Sequence, residues 1–265
     1  MVGMESPLEA VEFLARAPNR VAVLRALAEG PHTRNELAAE TGASQATLGR
    51  ILADFRERVW ARRVDGTHEA TATGRLVADA LADLLETVET EQALRAVVEY
   101  LPTDALDFDL RRLADARITY PSPTRPNAPV KRDVELVRAG ERITVFSHTF
   151  NEQTLAATTE RVASGESTFR GVFSTGAIDA LAEDPTLSER LETIAAAERA
   201  SVRVRETVPV AAMIVDGVVH VMLRDEHGVL RASIDTDDPG VCEWAERAFE
   251  RYWEDAAPLD PDALS

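Results

Sequence analysis

The residue spacings in this chain suit recognition better than catalysis. Its five histidines, His32, His68, His148, His220 and His227, include no i, i+4 pair, so a metal site is not expected. Ser147 stands beside His148, but neighbours on a strand point to opposite faces and cannot form a triad. There is no nucleophile elbow and no phosphate-cradling glycine loop, and among 46 acidic residues no carboxylate pair stands out. No catalytic residue, metal or cofactor is therefore expected. What remains is a set able to read a surface. Gln45, Thr47, Gly49 and Arg50 fall on one short helix, Arg34 and Ser44 beside it, and Arg62, Arg63 and His68 soon after.

Residues 33–55 read as two helices joined by a tight turn. Thr33 and Glu36 form a capping box, each side chain satisfying a free backbone donor, so a helix starts there and ends near Thr41. Gly42 supplies the turn. Ser44 caps the next helix, along which Leu48, Ile51, Leu52 and Phe55 make one apolar stripe. At about 100° per residue, Ala46, Gly49, Arg50 and Ala53 lie opposite that stripe, with Gln45 and Thr47 on its flanks. A small, polar face of this kind fits the DNA major groove, where Gln45 or Arg50 can pair with base edges. Asp54 and Glu57 would repel phosphate, so only the first two turns should enter. An ordinary helical hairpin in a core is the alternative at this point.

Residues 60–64 and 67–71 flank Asp65-Gly66, a type I′ hairpin signal because both turn positions need positive φ. A helix-turn-helix followed directly by a hairpin is a winged helix. Arg62, Arg63 and His68 then sit on the wing, either against phosphate or as solvated charges. Ahead of the pair, Asn19 is expected to cap a helix carrying Val21, Leu24, Leu27 and Ala28, stopped by Gly30-Pro31.

A chain of 265 residues with 45% hydrophobic content calls for more than one globular domain. The net charge is −17, and 28 of the 29 basic residues are Arg, Lys131 being the exception. So acidic a protein is a poor prior for DNA binding, since phosphate attraction is the main sequence-independent term. The distribution reverses that reading. Residues 1–72 carry a net charge of only −1, and the remainder carries −16. Cys242 is alone, so a disulfide framework is excluded and a reducing interior is expected. No apolar run approaches the roughly 20 residues that span a bilayer, and residues 1–7 lack a signal sequence, so a cytoplasmic protein with no membrane partner is expected.

Thr73 is expected to cap a helix running to about Tyr100, with Val77, Leu81, Leu84, Val88, Leu94, Val98 and Leu101 along one seam. A seam of this length pairs with a second copy or packs on the chain's own C-terminal domain; pairing is the expectation, since winged-helix readers act on paired half-sites. From Asp104 onward strands alternate with helices and end in hairpins, the Asp216-Gly217 turn among them. The expected organisation is a winged-helix DNA-binding domain at 1–72, a connecting and dimerisation helix at 73–103, and an α/β effector-sensing domain at 104–265. The fold class is α+β. In such sheets small ligands lie beyond the carboxyl ends of strands, where Ser147, Thr149, Ser174 and Thr175 precede helices whose free N–H groups favour an anion. Each of the four serves equally well as a helix cap. The aromatic face of Trp244, Phe249, Tyr252 and Trp253 reads as core.

The front of the chain resembles archaeal winged-helix regulators related to the arsenical-resistance and MarR-type families. Residues 104–255 are similar to the effector domain of archaeal TrmB-type and methanogenesis regulatory proteins, through Leu-Arg-Arg-Leu-Ala-Asp-Ala at 110–116, Ile-Thr-Tyr-Pro at 118–121, Val-Pro-Val-Ala-Ala-Met-Ile-Val-Asp-Gly at 208–217 and the closing helix to Trp253. The acid surplus with Arg in place of Lys resembles proteins of halophilic archaea. The effector domain of these regulators is similar to half of a phospholipase D, whose motif is His-x-Lys followed by Asp. Aligned on Asp216, this chain has Pro209 for the His and Ala211 for the Lys, so the resemblance implies sensing rather than phosphodiester chemistry. The expected protein is a sequence-specific regulator of promoter DNA, homodimeric, with a small-molecule effector. The alternatives are a phosphoester- or nucleotide-processing enzyme and a winged-helix protein-interaction module.

Overall fold

A computed structural model describes residues 6–264, so most of the N-terminal stretch read above as lacking a signal sequence lies outside the described residues. The chain divides into two compact units, Met1–Val88 and Glu89–Ser265.

The first unit runs α1 (Pro7–Ala15), α2 (Pro18–Glu29), α3 (Arg34–Thr41), α4 (Gln45–Glu57), β1 (Ala61–Val64), β2 (Thr67–Ala70) and the start of α5 (Ala72–Leu94). Thr33 and Glu36 form the expected capping box, Gly42 ends α3 at φ 69°, and the Ser44 hydroxyl accepts from Thr47 N to start α4. Leu24, Leu27, Leu37, Leu48, Leu52 and Phe55 form a core at 1% exposure or less. Fully burying such side chains contributes about 1.5–3 kcal/mol each. β1 and β2 pair antiparallel with Asp65 at φ 47° and Gly66 at φ 87°, the positive-φ pair of a type I′ turn.

Three local expectations are corrected. Asn19 does not cap α2; the helix begins at Pro18, whose fixed φ suits the first helical position, after Ala17 with no side-chain cap. Thr73 does not cap α5. The Thr71 hydroxyl accepts from Gly74 N at 3.0 Å, and Thr73 Oγ1 donates to Val59 O instead. Gly74 is required there, because a Cβ would stand 1.9 Å from Trp60 O. Finally, α5 stops at Leu94 rather than near Tyr100, and the chain continues in 3₁₀ turns at Val98–Tyr100 and Thr103–Ala105. α1, which the sequence reading did not anticipate, starts in its own capping box from Ser6 and Glu9.

The second unit holds β3 (Arg117–Thr119), α6 (Ala128–Ala139), β4 (Arg142–Ser147), α7 (Glu152–Ala163), β5 (Thr168–Ser174), α8 (Thr175–Ala182), α9 (Pro185–Ala195), β6 (Ala200–Arg205), β7 (Ala212–Val215), β8 (Val218–Arg224), β9 (Leu230–Thr236), α10 (Pro239–Glu254) and β10 (Ala257–Pro258). The strands form one sheet in the order β10-β6-β5-β4-β7-β8-β9-β3. β4, β5 and β6 are parallel and the other pairings antiparallel. Alternate residues feed two cores. Phe146 and Val172 pack with Trp244 and Phe249 of α10, whereas Ile143, Phe169 and Phe173 pack with Leu155, Ile178 and Leu191 of the other helices. The aromatic face of α10 is thus core, Trp244 Nε1 donating to Ala105 O at 3.1 Å. The fold is α+β: a winged helix, then a mixed sheet covered by helices.

Candidate nucleic-acid interface and an interior cavity

On α4 the apolar stripe is buried and the opposite face is open. Gln45, Ala46, Arg50 and Ala53 are exposed and Gly49 is half-exposed. Arg34 of α3 is exposed, and its Nη2 lies 4.0 Å from the position a Cβ on Gly49 would take, which puts a guanidinium on this same face. Gln45 Nε2 donates to Asn35 Oδ1 at 3.1 Å, which orients its amide between the two helices. Ser44 and Thr47 share a hydroxyl contact of 2.9 Å. Asp54, expected to repel phosphate, forms an ion pair with Arg20, whose Nη2 lies 3.8 Å from its Oδ2. A 13-residue helix of about 20 Å with small residues at its centre is a shape that enters a major groove.

On the wing, Arg62 and Arg63 are exposed, and Arg62 Nε pairs with Glu69 Oε1 at 2.6 Å. His68 is a correction. It is 6% exposed, on the face of β2 it shares with buried Ala70. Its backbone exchanges two hydrogen bonds with His32, at 2.7 and 2.8 Å, joining the α2–α3 loop to the ribbon. Burial, with help from Arg63, Arg34 and Arg56, pushes its imidazole below its ordinary pKa, so it is neutral at pH 7. The period-2 alternation of β2 carried that signal.

The four hydroxyls at the strand ends separate. Ser147 and Thr149 line a cavity of about 80 Å³ in the second unit. Ser147 Oγ there donates to Thr149 O at 2.7 Å and accepts from Thr149 N at 3.1 Å. Ser174 and Thr175 do not reach it. Ser174 Oγ accepts from Ala177 N as the cap of α8, and Thr175 Oγ1 donates to Arg205 O, because a helix start and a strand end need those partners.

The cavity's polar residues come from elsewhere in the chain: Asp133 on α6, and His220 and Arg224 on β8. His220 is 1% exposed and neither ring nitrogen has a hydrogen-bond partner; Nε2 is 3.9 Å from Asp133 Oδ1 and Nδ1 is 3.8 Å from Asp235 Oδ1. Those separations are electrostatic contacts, too long for hydrogen bonds. Burial pushes the Asp133 carboxyl above its ordinary value, against His220, Thr154 and Arg224, which favour its charge. Burial also opposes ionisation of Asp235, but the His220 and Arg132 contacts prevail and hold it at about 2. Arg132 reaches that carboxylate at 2.7 Å.

Asp216, where the phospholipase D motif would have its aspartate, has another role. Its carboxylate accepts from Glu141 N at 2.9 Å and Arg142 N at 3.0 Å, bracing the start of β4. Among the described residues no group of His, Cys, Asp and Glu is arranged to hold a metal ion, and no helix is long and apolar enough to cross a membrane.

Residues 8–93 match the family model described as the HVO_A0261 N-terminal domain, and residues 126–255 match that of the methanogenesis regulatory protein FilR1, middle domain. No curated protein matches the chain. Among solved structures, TrmBL2, an archaeal chromatin protein whose structure is described as showing a novel mode of DNA binding, is 14% identical with a TM-score of 0.41, over 93% of this chain and 98% of its own. NucT from Helicobacter pylori is 11% identical with a TM-score of 0.44, over 54% of this chain and 98% of its own. Nuc from Salmonella typhimurium, a phospholipase D family member, is 12% identical with a TM-score of 0.43, over 54% of this chain and 97% of its own. Likenesses this distant carry no functional inference.

Proposed function

We propose that this protein is a winged-helix regulator that controls transcription by sequence-specific binding to promoter DNA, a reading supported by the matches of residues 8–93 to the HVO_A0261 N-terminal domain and of residues 126–255 to the FilR1 middle domain. The observation that carries this reading is the outward face of α4, with Arg50 exposed opposite a stripe of residues at 4% exposure or less. In the proposed complex Gln45, Thr47, Gly49 and Arg50 meet base edges, Ser44 and Arg34 position phosphate, and Arg62 and Arg63 hold the wing to the backbone. At molar salt the Debye length is about 3 Å, so the acidic second unit scarcely repels DNA and contact hydrogen bonds decide affinity.

The protein works as a homodimer in the cytoplasm. Leu84, Leu85 and Val88 of α5 stand exposed at 47%, 43% and 40%, between Leu81 in the first core and Leu94 in the second, and a second copy of the helix would cover them. The second unit senses a small metabolite and is not an enzyme; Pro209 and Ala211 support this, being unable to act as nucleophile or phosphate clamp. Electrophoretic shifts on genomic fragments at matched high salt test the regulator reading. Retardation restricted to particular promoter fragments is expected, and equal retardation of all fragments would overturn it.

A further inference from the structure

We propose that the cavity beneath β4, β7 and β8 binds a small monocarboxylate with a branched apolar body, its head group on Arg224 and His220. This deepens the sensing reading above by naming the ligand class. The polar side of the cavity has donors to spare. Arg224 donates from Nη1 to Gly228 O at 2.9 Å, but its Nε is buried without a partner. His220, 1% exposed, likewise makes no hydrogen bond from either ring nitrogen, the nearest carboxylate oxygens standing at 3.8 and 3.9 Å. Of the neighbouring acceptors, Asp133 Oδ2 accepts from Thr154 at 2.6 Å, both oxygens of Asp235 accept from Arg132, and Asp133 Oδ1 stands 3.9 Å from His220 Nε2, beyond hydrogen-bond reach. A buried donor left unmatched is costly, so the missing component is an acceptor, best an anionic one.

The rest of the wall is apolar, with Met213, Met222 and Val145, and with Phe150 stacked on Phe173 at 4.4 Å between ring centroids. A free phosphate would leave that wall wetted, and an ammonium group would meet Arg224 with like charge. Arg132 is neutralised by Asp235, and burial disfavours the charged form of the Asp133 carboxyl, so a singly charged anion is the ligand that Arg224 of the cavity wall would balance. A volume of about 80 Å³ admits roughly six heavy atoms, at 10–15 Å³ for each water-sized group.

The test is calorimetric titration of the full chain, in high salt, with isobutyrate and isovalerate, against 3-methylbutan-1-ol, 3-methylbutan-1-amine and acetate. The two branched acids are expected to bind at least tenfold more tightly than the alcohol, the amine or acetate. Arg224→Gln is expected to lower the affinity for isovalerate at least tenfold with its far-ultraviolet spectrum unchanged. Should that variant fail to fold, the head-group series on the unaltered chain decides. No heat with either acid, or tighter binding of the amine or alcohol, overturns the proposal. DNA retardation measured without acid in the same preparation separates the two readings. Retardation without acid binding sinks the ligand alone, and acid binding without retardation sinks the regulator alone.

Discussion

Polar side chains stand in opposite circumstances in the two units. Around α4 they are at the surface, held by neighbours such as Asn35 and Glu69, above an apolar core whose buried polar neighbour is His68 of β2. Around His220 they are enclosed, with Asp133, Asp235 and the imidazole at 6%, 5% and 1% exposure among apolar walls. An exposed polar group is already satisfied by water, so changing it alters what the surface recognises and leaves stability nearly untouched. A buried one has exchanged water for a few fixed partners, and removing any of them is felt by the whole fold. One unit therefore separates recognition from folding, and the other joins them.

The sharpest way to break this contrast is Arg132→Met. It leaves the Asp235 carboxylate enclosed without its partner and should lower stability by about 3–5 kcal/mol, read from denaturant unfolding of the intact chain. A loss below about 1 kcal/mol would mean the pair behaves as a surface salt bridge. The pH dependence follows from the same group. The Asp235 carboxyl is depressed to about 2 when folded, so its contribution is fully present above the ordinary value of about 3.9 and is lost as pH falls towards 2. Acid titration of unfolding should show this loss in the natural chain and a much smaller one in the variant.

Smaller effects are expected on α4, and on binding rather than folding. Arg50→Ala should weaken specific DNA binding by about 1–3 kcal/mol and relax preference at one base position, with stability changed by no more than about 0.5 kcal/mol. Equal weakening on every sequence would make Arg50 a phosphate contact. Gly49→Ala should move the two properties in opposite directions. A Cβ meets nothing closer than 4.0 Å, so the helix gains up to about 1 kcal/mol, while the added methyl holds the helix off the groove floor and weakens DNA binding. Improvement in both would show that Gly49 does not face DNA. Arg62→Ala should be mildest, lowering affinity evenly across sequences and the salt slope by about one; an unchanged slope would detach the wing from phosphate.

Local signals were readable in the sequence wherever a few adjacent residues decide the structure. Thr33 with Glu36, Ser44, and the two Asp-Gly turns set their caps and hairpins as expected, and Asp65 and Asp216 have nearly the same φ, 47° and 48°. What those residues do beyond the turn was not readable. Asp216 braces β4 through two backbone N–H groups contributed by residues 141 and 142, a contact that only the folded sheet creates. The cavity was hidden for the same reason. Asp235 lies opposite His220 across the β8–β9 pairing, and Asp133 arrives from α6, so no stretch of sequence holds the cluster. The burial of His68 is legible in the pattern of β2, where half-buried Thr67 and Glu69 alternate with buried His68 and Ala70. The end of α5 at Leu94 is hidden in the sequence because its apolar seam continues past the helix, Val97 and Leu101 entering the second core from either side of the 3₁₀ turn at Val98–Tyr100.

The most direct measurement is selection of binding sites from a random DNA pool by the natural chain and by Arg50→Ala in parallel, at the same high salt. If α4 reads DNA, the natural chain enriches a two-fold symmetric motif, and the variant enriches the same motif with one position in each half-site relaxed. Enrichment of no motif, or of an identical motif by both proteins, would contradict a reading role for this helix.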